Sequence, residues 1–407
     1  MKILHIADLH WSTKHLSKCI NSSIQIETIA KDEQPELIII SGDIQDSILT
    51  VEDETAYAPM LKHIKILADI SPMVILYGND NHDAPKSLDP IKLLETQHPI
   101  CISDYPQTLY MQDHYGEKSF YTEPEDKNTI CTIHTLPYPT KEFLLREQKE
   151  NQQIDDLNQL AIDNLKMIFT GMQTRNIDGI PTILAFHGNV SDSKISNGQT
   201  ISTHAKDIII RKDDLELSGA DYIAGGHIHL NQMFSPKGGY AGSTYHVNWG
   251  ETEKKFVNCV EIEPGKLPKI RAIELTSTRP MVKHECEITK SGSIRDKNEV
   301  ADCCVENDWQ GADLRVRVTM DEEQRKTYDE NIVKQFYAGA FSYQIEPETI
   351  YVERSRSENI GRATNLVDQF KEWATAVNKE DKITEDVISE IHEIELEYNK
   401  KGMYNNE

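Results

Sequence analysis

Five short stretches carry the side chains that could do chemistry: Asp8-Leu9-His10, Gly42-Asp43, Asn81-His82-Asp83, His187 and Gly226-His227-Ile228-His229. Each follows an apolar, β-branched run (KILHI, ELIII, PMVILY, PTILAF, DYIAG). Each is therefore expected at the carboxyl end of a strand, where open α/β sheets build their sites. In extended chain, residues i and i+2 face the same way, so Asp8 with His10, and His227 with His229, can each converge on one point. Seven oxygen and nitrogen ligands from five strand ends exceed what one ion needs, and two divalent ions sharing a carboxylate fit that supply. Carboxylate, imidazole and amide without thiolate suit manganese, iron or zinc. Singly, the motifs have blander readings: an aspartate after a strand often caps a helix, and Gly-Asp is common turn chemistry. Two glycines and two histidines at one strand end are poor core material, and five such motifs in order are no coincidence.

The elements that must position these residues alternate in the first half: strand, helix near 16–31, strand, helix near 55–69, strand. Buried strands separated by helices imply a layered α/β domain. Shorter strands after residue 100 imply a second sheet packed on the first. A covering helix is expected over 142–175, with Ile154, Leu157, Ala161, Leu165 and Ile168 on one face. The pattern breaks at Thr278 to Pro280. A smaller unit then reads strand, helix near 296–306, strand, helix near 321–336, strand (YQIEPETIYVER). The tail is helical and acidic, with one apolar stripe at Leu366, Val367, Phe370, Trp373 and Val377, and another at Ile383, Val387, Ile391 and Ile394. Thr384 opens the second as its expected N-cap. Three regions follow: 1–278 for the site, 279–356 for an accessory α/β unit, and 357–407 for the tail.

Composition bounds the rest. The 407 residues can bury an ordinary core without disulfides, and seven scattered cysteines with no CxxC pair suggest a reducing, cytoplasmic setting. No apolar stretch approaches the roughly 20 residues of a membrane span, so no membrane partner is expected. The formal net charge of −24 repels nucleic acid at long range. A nucleic-acid substrate would need positive charge from bound metal, a local patch or a partner subunit.

The order DxH, GD, NHD, H, GHxH resembles the calcineurin-like metallophosphoesterase superfamily, and the DLHW start with the segment AGSTYHVNWGETEKKFV looks like its SbcD-type DNA-repair nuclease branch. The resemblance covers about the first 275 residues by motif and the remainder by domain order alone. It implies a two-sheet sandwich flanked by helices, a small α/β capping domain that orients DNA, and a helical tail that docks on a partner. It assigns Asp8, His10 and His229 to one metal, Asn81, His187 and His227 to a second, Asp43 to both, and His82 to catalysis. It implies two Mn(2+) ions, DNA exonuclease and endonuclease activity, an SbcC-type coiled-coil ABC ATPase partner, and a homodimer within a heterotetramer in the cytoplasm of a bacterium or a phage-infected host. An alternative inside the superfamily is a phosphodiesterase acting on small molecules or phosphoproteins. A non-catalytic scaffold is a third reading, against which the intact ligand set stands.

Asp83 is expected to orient His82 or cap the next helix. His15, between Lys14 and Lys18, either contacts substrate phosphate or is solvated. His5, His63, His134, His204 and His246 are expected to be structural. In the loop GNDNHD the family's glycine and asparagine are separated by Asn79-Asp80. Treating those two as an insertion makes Asn81 the ligand and Asn79 a turn residue, whereas the other register keeps Gly78-Asn79 and brings His82 from the loop.

Overall fold

The computed structural model describes residues 1–47, 49, 54–145, 154–199, 208–297, 308–350, 365–376, 379 and 383–402. From the start, β1 (Lys2–Ile6), α1 (Leu16–Glu33), β2 (Leu37–Ile40), α2 (Glu54–Ala68), β3 (Met73–Leu76) and β4 (Ile100–Ser103) alternate. The four strands run parallel. An antiparallel meander follows, β5 (Gln107–His114), β6 (Glu117–Tyr121) and β7 (Thr129–Leu136). After α3 (Lys141–Leu144) and α4 (Ile154–Gln173), β8 (Thr182–His187) pairs in parallel with β7. A small ladder of β9 (Asn189–Val190) and β10 (Ile209–Ile210), then α5 (Lys212–Glu216), lead to β11 (Tyr222–Gly226), which lies parallel to β8. The hairpin β12 (Gln232–Ser235) and β13 (Gly238–Tyr240) precedes β14 (Phe256–Glu261) and β15 (Lys269–Glu274).

Two sheets result, ordered β15-β14-β1-β2-β3-β4 and β12-β13-β11-β8-β7-β5-β6. Strand periodicity explains how they stack. Ile3, Leu37, Ile39, Val74 and Leu76 meet Leu109, Ile133, Ile183, Tyr222 and Ala224 in one buried cluster between the sheets. Their sequence neighbours Leu4, Ile38, Ile40 and Ile75 point to the opposite face, against Ile26, Met60, Ile64 and Leu67 of α1 and α2. On the second sheet, Leu184, Phe186 and Ile223 pack against Ala161, Leu165 and Phe169 of α4. Strands buried on both faces need continuous apolar runs rather than alternation, which is what β1, β2, β3 and β8 supply. Each such side chain contributes about 1.5–3 kcal/mol by leaving water, so Ile39→Asp would strand a charge between the sheets and unfold the sandwich. The expected strands therefore stand, while the covering helix is described only from Ile154, since 146–153 lie outside the described residues.

Beyond residue 280, β16 (Met281–Ile288), β17 (Ile294–Asp296), β18 (Asp313–Met320) and β19 (Ser342–Thr349) form a sheet ordered β17-β16-β18-β19. Its start is stitched to the preceding loop: the Gly250 N–H donates to the Met281 carbonyl (2.7 Å), and the Met281 N–H to the Glu251 carbonyl (3.0 Å). Lys18 on α1 and Asp313 on β18 form a largely buried ion pair at 2.7 Å. The expected single helix over 321–336 is two, α6 (Glu322–Thr327) and α7 (Asn331–Phe336). Asp321 and Gln324 close a reciprocal capping box on α6, Tyr328 turns extended, and Asp329 Oδ1 accepts the Asn331 N–H to start α7. The helix expected near 296–306 falls mostly on 298–307, outside the described residues, as does the end of the strand expected to reach Arg354. In the tail, α8 (Leu366–Ala376) and α9 (Glu385–Gly402) form as expected, with Thr384 Oγ1 3.4 Å from the Val387 N–H, while Val377 lies outside the described residues.

Two compact units can be separated. One comprises Met1–Glu287, Ser293–Val318 and Asp329–Glu346; the other comprises Ile288–Gly292, Thr319–Tyr328 and Pro347–Glu407. Among the described residues no helix is long and apolar enough to cross a membrane, and Cys19, Cys101, Cys131, Cys259 and Cys286 are free thiols.

Candidate metal centre

The loops leaving β1, β2, β3, β8 and β11 meet in one buried cluster. Among the described residues three groups have ligand atoms within 4.8 Å of one another: Asp8, His10 and His229; Asp43, His187 and His227; and, toward the rim, His10, Asp46 and His82. Asp43 stands between the first two. Its Oδ2 is 3.3 Å from His187 Nε2, 3.9 Å from His10 Nε2 and 4.0 Å from His82 Nε2. The loops are strained to achieve this. Asp8, His10, Asp43 and His227 all hold positive φ, at 52°, 44°, 53° and 104°. L-residues avoid that region at a cost of about 1–3 kcal/mol each, and such strain gathers at functional sites. Glycine permits the close approach: a Cβ on Gly78 would overlap the Asp43 carboxylate, and one on Gly226 would overlap the Ser41 carbonyl.

The hydrogen bonds around the imidazoles leave nitrogen lone pairs facing inward. His187 Nδ1 donates to the Ser41 carbonyl at 2.6 Å, leaving Nε2 buried without a hydrogen-bond partner. His227 Nε2 is likewise buried and unsatisfied. His229 Nδ1 is 2.8 Å from Glu251 Oε1, and its Nε2 faces His10 Nε2 at 3.0 Å. Buried polar atoms without partners are rare. A cluster of them on imidazoles beside carboxylates fits divalent cations, with the outer nitrogen of His187 fixed by the Ser41 carbonyl and that of His229 by the Glu251 carboxylate.

The electrostatics agree. Burial opposes ionisation of Asp43, but the surrounding imidazoles, led by His187, hold its carboxyl well below the usual range. Burial would lower His187, yet Asp43 and Asp8 carry it up to about 9. Burial, then the neighbouring His187, takes His227 down to about 3, and burial pushes Asp8 up to about 6. Opposed shifts in adjacent buried groups mark the cluster as electrostatically coupled.

His82 is part exposed at the rim, its ring 4.7 Å from that of His10. Its Nδ1 lies 2.6 Å from the Asp46 carbonyl, so that carbonyl, not Asp83, orients the ring. Asp83 does something else. Fully buried, it accepts the backbone N–H groups of Ile44, Gln45 and Gly78, tying the loop that carries Asp43 to the loop after β3. Burial and then the Asp43 charge push it up to about 7.

In the asparagine loop the Asn79 side-chain oxygen lies 3.4 Å from the Asn81 N–H. Asn79 is half-buried, and its N–H donates to Asp43 Oδ1 at 2.7 Å. Asn81 is exposed at the middle of a helical turn in which the His82 and Asp83 N–H groups both bond the Asn79 carbonyl. His15 is half-buried, its ring 6.0 Å from that of Tyr245, and burial followed by Lys18 lowers it to about 4. The remaining histidines have structural partners: His5 with Tyr222 and Ser41, His63 with Glu27, His134 with Thr108 and Asn176, and His246 with the Glu253 carbonyl. His204 lies outside the described residues.

Three supports had no role assigned from the sequence. The Gln199 amide brackets the last motif, donating to the His227 carbonyl (2.7 Å) and accepting the His229 N–H (3.1 Å). Asp46 orients His82, and Glu251 with Lys255 backs His229. Only Glu251 carried a signal, in its Gly250-Glu251 pair; Gln199 sits in a loop with no periodicity to read.

A two-sheet sandwich with paired ligand groups at its strand ends is a metallophosphoesterase architecture, and residues 1–231 match the model of the calcineurin-like phosphoesterase family, to which the chain belongs. It is 26% identical over 309 residues to the SbcD component of nuclease SbcCD from Bacillus subtilis (strain 168), covering 70% of this chain and 72% of that one. It is 26% identical over 289 residues to the Staphylococcus saprophyticus protein of the same name, covering 66% and 67%. An uncharacterized metallophosphoesterase, YhaO of Bacillus subtilis, is 26% identical over 285 residues, covering 66% of this chain and 59% of that one.

Proposed function

We propose that the protein is the nuclease subunit of an SbcCD-type complex, cleaving DNA at double-strand ends by two-metal phosphodiester hydrolysis. The observation that carries the reading is the Asp43 carboxylate between two ligand groups, with His187 Nε2 and His227 Nε2 in one and His10 Nδ1 in the other buried without hydrogen-bond partners. One ion would sit on Asp8, His10, Asp43 and His229. The other would sit on Asp43, His187, His227 and, in place of Asn81, Asn79, whose backbone is already held on Asp43. Two divalent ions there, Mn(2+) in our reading, would activate water and offset the negative charge of the phosphodiester. With Nδ1–H of His82 held by the Asp46 carbonyl, Nε2 is the nitrogen left to face the reacting phosphate, and in the imidazolium form it would carry the proton passed to the leaving oxygen.

Residues 279–356 would orient DNA over the centre, and residues 357–407 would dock on an SbcC-type coiled-coil ATPase in the cytoplasm, as a homodimer within a heterotetramer. The relatives' names support the nuclease reading, and the exposed Leu366, Ile394 and Leu396 on α8 and α9 support docking. With a charge of −24, DNA affinity would come mainly from the metals and the partner. The test compares, with Mn(2+), cleavage of linear duplex DNA with that of bis-p-nitrophenyl phosphate and a cyclic nucleotide. Turnover of the small diesters with intact DNA would overturn the nuclease reading and leave the small-molecule one.

A further inference from the structure

Lys255 immediately precedes β14 and is fully buried, which is rare for a lysine unless its charge is matched. Its ammonium is fully used, with Nζ 2.7 Å from Glu251 Oε2, 3.0 Å from Glu253 Oε1 and 3.0 Å from Ser243 Oγ. Glu251 is equally saturated. Oε2 accepts Lys255 and the Val247 N–H (3.1 Å), while Oε1 accepts the Asn248 side-chain amide (2.9 Å) and backbone N–H (3.2 Å). The remaining partner of Oε1 is His229 Nδ1 at 2.8 Å. An ammonium, an amide N–H and two backbone N–H groups only donate, so this carboxylate can only accept, and His229 must carry its proton on Nδ1. The lone pair then lies on Nε2, which faces the centre beside His10.

We propose that Lys255 is a positioning residue for the first ion: by fixing Glu251, it holds His229 in the tautomer and orientation that offer Nε2 to the metal. The inference rests on the two-metal reading above. A merely structural role, in which the Lys255–Glu251 pair knits its own loop together, would show in folding and leave metal binding alone.

The experiment is Mn(2+) binding to the full chain by calorimetry and electron paramagnetic resonance, with melting in EDTA as the control for folding. Wild type should take up two ions and give a spin-coupled spectrum; a single ion would overturn the two-metal reading instead. Lys255→Met should bind one of them at least about 10-fold more weakly, replacing the coupled spectrum with that of an isolated ion. Lys255→Arg, which keeps the charge, should restore coupling. If Lys255→Met does not fold, the double variant Glu251→Gln/Lys255→Met takes its place, because it removes the buried Lys255–Glu251 pair as a unit and leaves only the part-exposed Glu253 without its ammonium partner. Two ions bound with wild-type affinity, or equal weakening of both, would overturn the proposal.

Discussion

At the scale of single residues, the two asparagines divide the site from its scaffold. Asn79→Ala should abolish Mn(2+)-dependent diester cleavage, by roughly 100-fold or more, because it removes a ligand we assign to the second ion. Asn81→Ala should leave the rate within about threefold, since an exposed turn residue rarely contributes more than ~0.5 kcal/mol; the reverse outcome in steady-state assays would restore the other register. Asp83→Ala should lower the melting temperature and weaken metal binding together, since three buried N–H groups would lose their acceptor at a cost of about 3 kcal/mol or more. Asp8, His10, Asp43, His187, His227 and His229 could be read from sequence because each ends a strand, and strand ends have a calculable place in the fold. The Asn79-to-His82 stretch could not. Its geometry is set by hydrogen bonds to Asp43 and Asp46 from another loop, which no local pattern encodes.

At the scale of elements, the sheet beyond residue 280 holds its own ionisable core. His284 on β16 lies between Asp296 (2.8 Å) and Asp308 (2.9 Å), with Tyr337 also donating to Asp296. Burial opposes its charge, but the two aspartates prevail and raise it above the ordinary 6.5. A pKa raised on folding contributes stability that is complete below the unfolded value and lost as pH rises through the folded one. Melting curves should therefore show this region weakening from neutral toward alkaline pH, and His284→Gln should flatten that dependence; an unchanged slope would remove the charge argument. Helix propensity likewise suggested one helix over 321–336, while the extended Tyr328 and the local bond of Asp329 divided it. The strands were easier to foresee because short, β-branched apolar runs bounded by turn residues suit strands buried on both faces.

For the whole molecule, the ions are expected to be a major source of stability, because they bind the folded centre and relieve the repulsion of its acidic surface. At one hundred times the dissociation constant, each ion adds about 2.7 kcal/mol, so EDTA should lower the melting temperature by several degrees and Mn(2+) should restore it. Calorimetry that finds no shift would argue against folded-state metal binding. Removing residues 357–407 should abolish co-purification with a coiled-coil ATPase while leaving metal-dependent diester cleavage intact. The sandwich was legible in sequence because its apolar runs permit little else; the assignment of β16 to β19 among the two compact units was not, since it depends on contacts distant in sequence.

The exchange of backbone hydrogen bonds between Met281 and the Gly250-Glu251 pair makes the start of β16 a lever on the centre. Glu251 grips β16 with its main chain and His229 with its side chain, so a load applied beyond residue 280 arrives within one residue at His229, which we assign to the first ion. Displacement of that sheet by about an ångström would be felt as a change in how firmly the first ion is held, before any contact with the reacting phosphate altered.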